Sequence, residues 1–297
     1  MVKNADKFYF PIVESIKSIL PIVDEFVIAL GDNEANDKTE ELIRSIESDK
    51  IKVIHRIWDK KSMVDGKIYA EETNFALSQC SGDWCFYLQA DECIHEEDHN
   101  EIVACCQKYN EDDEVDALLF NYLHFWGDYE HYLPYHGWYR NEIRLIKNNR
   151  NIESIKDAQS FRKKLQDSSF NKLNVVKTSI RVFHYGWVRP PSIMNSKKDE
   201  QDVVHYQTKA EKKQQDYNYG ALGKIPVYKG SHPRIMHDKI KSHNWKDQLN
   251  YTRKTQLNRR KFKHERFKYR LISWIENNLN RGRTIFGYSN WNILPKK

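Results

Sequence analysis

No apolar run in this 297-residue chain approaches the roughly 18–20 residues needed to cross a bilayer. Met1–Phe10 has no apolar core of the signal-peptide kind. A cytoplasmic location is therefore expected. Internal repeats and low-complexity tracts are missing too. Cysteine is sparse: Cys80, Cys85, Cys93, Cys105 and Cys106 fall in one short stretch, odd in number and without C-x-x-C spacing. A structural zinc site needs four well-placed ligands, and a disulfide framework needs an even set in an oxidising compartment. These thiols read as small residues packed in a reduced core.

What is present is a chain too apolar and aromatic for disorder, with 39% hydrophobic and 13% aromatic residues. Its length fits one large domain, or one and a half. The net charge of +6 is unevenly spread: Arg253–Arg270 carries nine Lys or Arg against one acid, Glu265. Such a block suits a solvated helix face, acidic lipid headgroups, a phosphorylated substrate or nucleic acid. Few aromatics interleave it (Phe262, Phe267 and Tyr269) and no groove-reading motif appears, so no specific nucleic-acid partner is expected. Peripheral contact with an anionic membrane, at its inner face, is the expected use.

The first half alternates helix and strand signals. Ile12, Val13, Ile16, Ile19 and Leu20 recur at helical spacing, predicting a helix over Phe8–Leu20 that Pro21 ends. Strands follow at Glu25–Leu30, Ile51–Ile57, Trp84–Gln89 and Val115–Phe125; helices follow from Asp37, at Gly66–Gln79 and near Glu96–Tyr109. The order predicts an α/β fold with a mostly parallel central sheet flanked by helices. Ligands of such sheets sit beyond the carboxyl ends of the strands. A sheet of this kind opens with a strand, yet only Met1–Lys3 precede the first helix. Either the opening strand is very short or the sequence lacks its beginning. Past Pro190 the composition changes: Ser196–Gln215 reads as a charged helix, and Trp245–Asn280 as one or two basic amphipathic helices. Residues 1–190 are expected to form the catalytic domain, and 191–297 a charged, mainly helical C-terminal extension.

Gly82–Glu92 (GDWCFYLQADE) carries the chemistry: an apolar strand runs directly into Asp91 and Glu92. Carboxylates at that point can hold a hard divalent cation that bridges nucleotide phosphates, although turns after strands also use Asp to bond their own backbone. With Asn4 near the start, the loop GDNEANDKT after Leu30, the helix KIYAEETNFAL and then Gly82-Asp83, the chain resembles a family 2 glycosyltransferase of the GT-A fold. Bacterial lipopolysaccharide and polysaccharide sugar transferases are similar to it. The resemblance covers roughly residues 1–190.

The resemblance implies transfer of a sugar from a nucleotide-sugar donor to a glycan or lipid-linked acceptor hydroxyl, with inversion and a divalent metal (Mg or Mn). It implies a donor site of Asn4, Asp32, Lys67, Asn74, Gln89 and Asp91, and a metal site of Asp91, Glu92 and His184. The family's first acid is Gln89 here, which hydrogen-bonds but adds no charge, so the metal is expected to bind weakly or with the nucleotide. An acid after the strand Glu142–Lys147 would take the acceptor proton: Asp157 first, then Glu153, then Glu142. In Phe183–Arg189 (FHYGWVR), Arg189 would offset leaving-group charge. Phe125, Trp126, Tyr135, Trp138, Tyr139 and Trp187 offer ring faces for an acceptor sugar, and Gly230–Pro233 a lid. Two other readings stay open: a catalytically degenerate binding module, and a nucleotidyltransferase. Asn4–Phe10 lacks the Gly-rich basic phosphate loop that a nucleotidyltransferase uses.

Overall fold

The computed structural model describes residues 1–206, 216–254, 259–280, 284–285 and 289–295. Helix α1 (Ile12–Ile19) buries Ile12, Ile16 and Ile19 along one stripe. It starts later than its apolar pattern does because Pro11 precedes it, and Pro21 turns its end into a 3-10 turn. Strands β1 (Phe26–Leu30) and β2 (Ile51–His55) pair in parallel across α2 (Thr39–Arg44). The opening strand is reduced to one parallel bridge, Val2 to Leu30.

After α3 (Lys67–Ser78) come β3 (Trp84–Phe86), β4 (Glu92–Ile94), α4 (His99–Tyr109) and β5 (Ala117–Trp126). Next are β6 (Asn141–Lys147), β7 (Ile152–Ile155), β8 (Ser160–Lys164) and the long β9 (Phe170–Trp187). The larger sheet runs β3-β6-β5-β9-β8-β7, with β4 also paired to β9. The α/β class and GT-A fold hold, but the sheet is mixed rather than mostly parallel. β9 is parallel to β5, whereas β3–β6, β5–β6, β4–β9, β8–β9 and β7–β8 are antiparallel. Parallel neighbours need long crossovers, which the helices supply early in the chain. Later strands follow one another through turns such as 156–159, which make hairpins.

The segment after 190 packs onto this same sheet. It contributes α5 (Pro191–Tyr206), α6 (His237–Lys241), α7 (Phe267–Asn278) and β10 (Trp291–Ile293), which pairs with β9. Met236 and Trp245 join Phe125, Tyr129 and Phe183 in one buried cluster. Of the one or two helices expected over Trp245–Asn280, the described residues form one α-helix, α7. Trp245 is instead driven into the core, where its indole N–H donates to Gly127 O at 2.9 Å. The helix expected over Ser196–Gln215 starts earlier, at Pro191, and 207–215 lie outside the described residues. The five cysteines are free. Among the described residues no helix is long and apolar enough to cross a membrane.

One buried ion pair ties β4 to β6. Arg144 donates through Nε to Glu92 Oε2 at 2.9 Å and through Nη2 to Oε1 at 2.8 Å. The Tyr122 hydroxyl donates to the same Oε1 at 2.6 Å. The guanidinium lies 5.0 Å and 5.1 Å from the Tyr87 and Tyr122 ring centres. Both charged residues are buried, Glu92 at 0% and Arg144 at 1% exposure. Two-pronged pairing of this kind meets the desolvation cost of both ions only while both are present. Arg144→Met is expected to lower the unfolding free energy by about 3–5 kcal/mol. Urea denaturation measures it, and an Arg144→Met/Glu92→Leu double variant is expected to recover most of the loss.

Candidate active site

A cavity of about 360 Å³ opens where Val2, the chain after β3, the end of β9 and α5 meet. Gln89, Asp91, Glu142, Asp157, His184 and Lys197 supply its polar walls; Phe10, Trp58, Tyr139 and Trp187 supply rings. The turn after β3 makes this arrangement. Glu92 N donates to Gln89 O at 3.0 Å, and Tyr185 N to Asp91 O at 2.8 Å, which fixes the tetrapeptide against β9. Adjacent side chains then part: Asp91 lines the cavity while Glu92 turns inward to Arg144.

Asp91 Oδ2 lies 3.4 Å from Lys197 Nζ and 3.8 Å from His184 Nε2. Burial alone would raise this carboxyl, but the Lys197 and Arg189 charges hold it below the usual carboxylate range. It is a carboxylate at every physiological pH. Burial, opposed by Asp91, keeps His184 below the usual imidazole range. Its tautomer follows from a relay. His124, pushed well down by burial and by His184, is neutral, and its Nε2 lies 2.7 Å from Tyr139 O, a pure acceptor. His124 Nε2 must therefore carry the proton, leaving Nδ1 to accept from His184 Nδ1 at 2.9 Å. His184 Nε2 is left with a bare lone pair, aimed at Asp91. Gly186 makes room for it: a Cβ there would sit 2.5 Å from His184 Nε2 and 2.8 Å from Asp91 Oδ2.

This pair fits a divalent cation. Two ligand atoms on one ion, with bonds of about 2.0–2.2 Å, stand roughly 3–4 Å apart. An oriented neutral imidazole and a carboxylate are suitable donors. Among the described residues no three His, Cys, Asp or Glu groups are disposed to hold a metal, so the pair by itself would supply only part of a coordination shell. Glu92, the expected third ligand, is unavailable because Arg144 takes both its oxygens.

The other expected donor residues divide. Gln89 lines the cavity and donates to the Tyr87 hydroxyl at 3.2 Å. Asp32 braces the wall from behind: it pairs with Lys3 at 3.0 Å and accepts from Trp58 N at 3.1 Å, and both partners line the cavity. Asn4, in the left-handed region at φ 53°, accepts from Glu34 N and donates its own N–H to Asn33, shaping the loop after β1. Asn74 pins β7 to α3 through both bonds to Ser154. Lys67 is exposed at the start of α3. None of these last three lines the cavity.

Asp157 lines it from the turn between β7 and β8, between Lys156 (φ 57°) and Ala158 (φ 60°). Non-glycine residues held in the left-handed region mark strain, which tends to persist at functional sites. Glu153, the second choice, pairs with Lys164 at 3.4 Å and is not in the wall. Glu142, the third, is in the wall: burial lifts its carboxyl to about 8 despite Arg144, and its Oε2 is buried without a hydrogen-bond partner. Arg189 is buried, donating to Phe8 O and Gly186 O at 2.7 Å and 2.9 Å, and acts on Asp91 only through its field. Tyr139 and Trp187 line the cavity, whereas Phe125 and Trp126 are core. The Gly230–Pro233 loop is docked elsewhere, Ser231 on His95 and His232 on Tyr185. Lys197 was not anticipated. Its only mark in the sequence is membership of a charged helix, which says nothing about the cleft.

The model of the family described as Glycosyl transferase family 2 matches residues 11–168, just over half of the chain. Among solved structures, the crystal structure of S. aureus TarS is similar at 13% identity and a TM-score of 0.37. The match covers 68% of this chain and 38% of the TarS chain, so this chain spans well under half the length of that structure. No curated protein matches.

Glu142 gives the cleft a stability signature. Its folded pKa of about 8 stands above the ordinary 4.5, so its contribution is complete below pH 4.5 and lost as pH rises through 8. Thermal or urea unfolding between pH 5 and 9 is expected to show wild type losing on the order of 1–3 kcal/mol more than Glu142→Gln.

Proposed function

The chain belongs to glycosyl transferase family 2, and on that footing we propose that the Asp91 cleft holds the diphosphate of a nucleotide-sugar and passes its sugar, with inversion, to an acceptor hydroxyl. The observation that carries this reading is the Asp91–His184 pair, a carboxylate facing a bare imidazole nitrogen 3.8 Å away at the mouth of the sheet. Asp91 and His184 would hold a divalent cation together with the donor phosphates, and such an ion supplies Lewis-acid stabilisation to the leaving diphosphate.

The chain's own groups do the rest. Asp157 is the base of choice, since Glu142 is protonated near neutrality and Glu153 is turned away. The acceptor oxygen forms a bond to the anomeric carbon as its proton passes to the Asp157 carboxylate. The bond from that carbon to the diphosphate oxygen breaks, and its electron pair leaves with the nucleoside diphosphate. Tyr139 and Trp187 offer ring faces on which sugar C–H surfaces rest. Polysaccharide or lipopolysaccharide assembly is the setting that suits such a transferase.

A membrane-borne acceptor is supported by α7. Its acid, Glu276, is buried against His136 and Arg140 at 2.7 Å and 2.9 Å. The exposed face therefore shows Phe267 (80% exposed), Leu271 (46%) and Trp274 (55%), flanked by exposed Lys261, Lys263 and Lys268. Apolar residues at i, i+4 and i+7 beside lysines match an anionic bilayer surface.

Nucleoside diphosphate release from a panel of nucleotide-sugars, with Mg²⁺ or Mn²⁺ and glycan acceptors, tests the chemistry. Turnover is expected to fall at least about a hundredfold in Asp91→Ala and Asp157→Ala, with folding intact. Full activity in both would contradict the assignment, and nucleotide binding without turnover would identify a degenerate binding module. Co-sedimentation with vesicles is expected to favour anionic over zwitterionic lipid, and to drop roughly tenfold in Phe267→Ser/Trp274→Ser. Equal binding to both lipids, or none, would remove the membrane from the account.

A further inference from the structure

The charges of the cleft do not balance in favour of an anionic donor. Among the described residues its walls carry the acids Asp91, Asp157 and Glu200, with Glu142 protonated near neutrality, against Lys3, Arg144 and Lys197. Two of those cations are committed elsewhere: Arg144 gives both prongs to Glu92, and Lys3 pairs with Asp32 at 3.0 Å. Among the described lining residues Lys197 is the remaining one. Burial, and after it the Arg189 charge, lowers its amine to about 7 against the pull of Asp91, so a further anion beside it favours the ammonium form; that ammonium donates to Gly186 O at 2.9 Å and stands 3.4 Å from Asp91 Oδ2. Its stem is nearly covered, at 11% side-chain exposure, and Nζ sits 5.0 Å from the centre of the Phe10 ring. An ammonium has three N–H donors, and those two contacts use two of them.

We infer that Lys197 is the cleft's own cation for the donor diphosphate, presenting its third N–H to a phosphate oxygen beside Asp91. The inference rests on the transferase reading above and adds a residue to it. The chain's route explains the position. β9 brings His184 to the cleft, Gly186 lets the backbone pass against Asp91, and Pro191 starts α5, which carries Lys197 back over the Gly186 carbonyl. The residue lies beyond the family-matched segment 11–168, so the donor site is incomplete without the chain after 190. A compact ammonium is a point charge well suited to phosphate, and in a partly dry cleft its bond to an anion is stronger than in water.

The test is calorimetric binding of uridine, cytidine, guanosine and thymidine diphosphates to the full chain, in EDTA and in Mn²⁺, for wild type, Lys197→Met and Lys197→Arg. Lys197→Met is expected to weaken the preferred diphosphate roughly tenfold or more in both conditions, with Lys197→Arg restoring most of the affinity and all three proteins melting alike. The matching nucleoside monophosphate, which reaches the site less fully, is expected to lose less. Binding by Lys197→Met within twofold of wild type would overturn the inference while leaving the transferase reading standing. Wild type that binds no diphosphate would overturn both.

Discussion

Two acids stand next to each other where the turn after β3 enters β4, and the buried pair between Glu92 and Arg144 decides which faces the cleft. Arg144 takes both oxygens of Glu92 inside a tyrosine-lined space, while the turn after β3 sends Asp91 the other way. A charge buried at Glu92 without its partner would be too costly to keep, so the pair sets the register of β4 against β9 and with it the direction of Asp91. The shape of the cleft depends on this structural tie: Arg144 lines the cavity while its guanidinium is held by Glu92, which does not line it.

From Asp91 outward, the site is arranged by hydrogen bonds whose direction is forced. A backbone carbonyl at Tyr139 settles the tautomer of His124, which settles that of His184, which leaves one nitrogen ready to accept. Gly186 keeps that nitrogen clear. The same glycine's carbonyl receives Lys197, so one residue of β9 serves both the imidazole and the ammonium. The long β9 strand links the helical half of the molecule to the segment after 190, and the cleft forms where the two meet.

Much of this was legible in the sequence, because local patterns carry it. An apolar strand ending in acids announced Asp91, and FHYGW announced His184 at the end of a returning strand. Glu92 was misread for a physical reason: the turn through Ala90 and Asp91 sends neighbouring side chains apart, and only the fold shows that Arg144 waits on the inner side. Asn4 and Asn74 sit where the resemblance put them in the order of the chain, yet their amides are used on backbone. The mixed sheet and Lys197 were hidden more deeply. Strand direction depends on which turns close into hairpins, and Lys197 reaches the site only through the path of α5, with no local signal to separate it from its charged neighbours.

A structure of the protein with the preferred nucleoside diphosphate and Mn²⁺ addresses the central claim most directly. The account predicts the diphosphate between Lys197 Nζ and the Asp91–His184 pair, with the metal held by Asp91 and His184. A nucleotide bound outside this cleft, or one whose phosphates point away from Asp91, would contradict it.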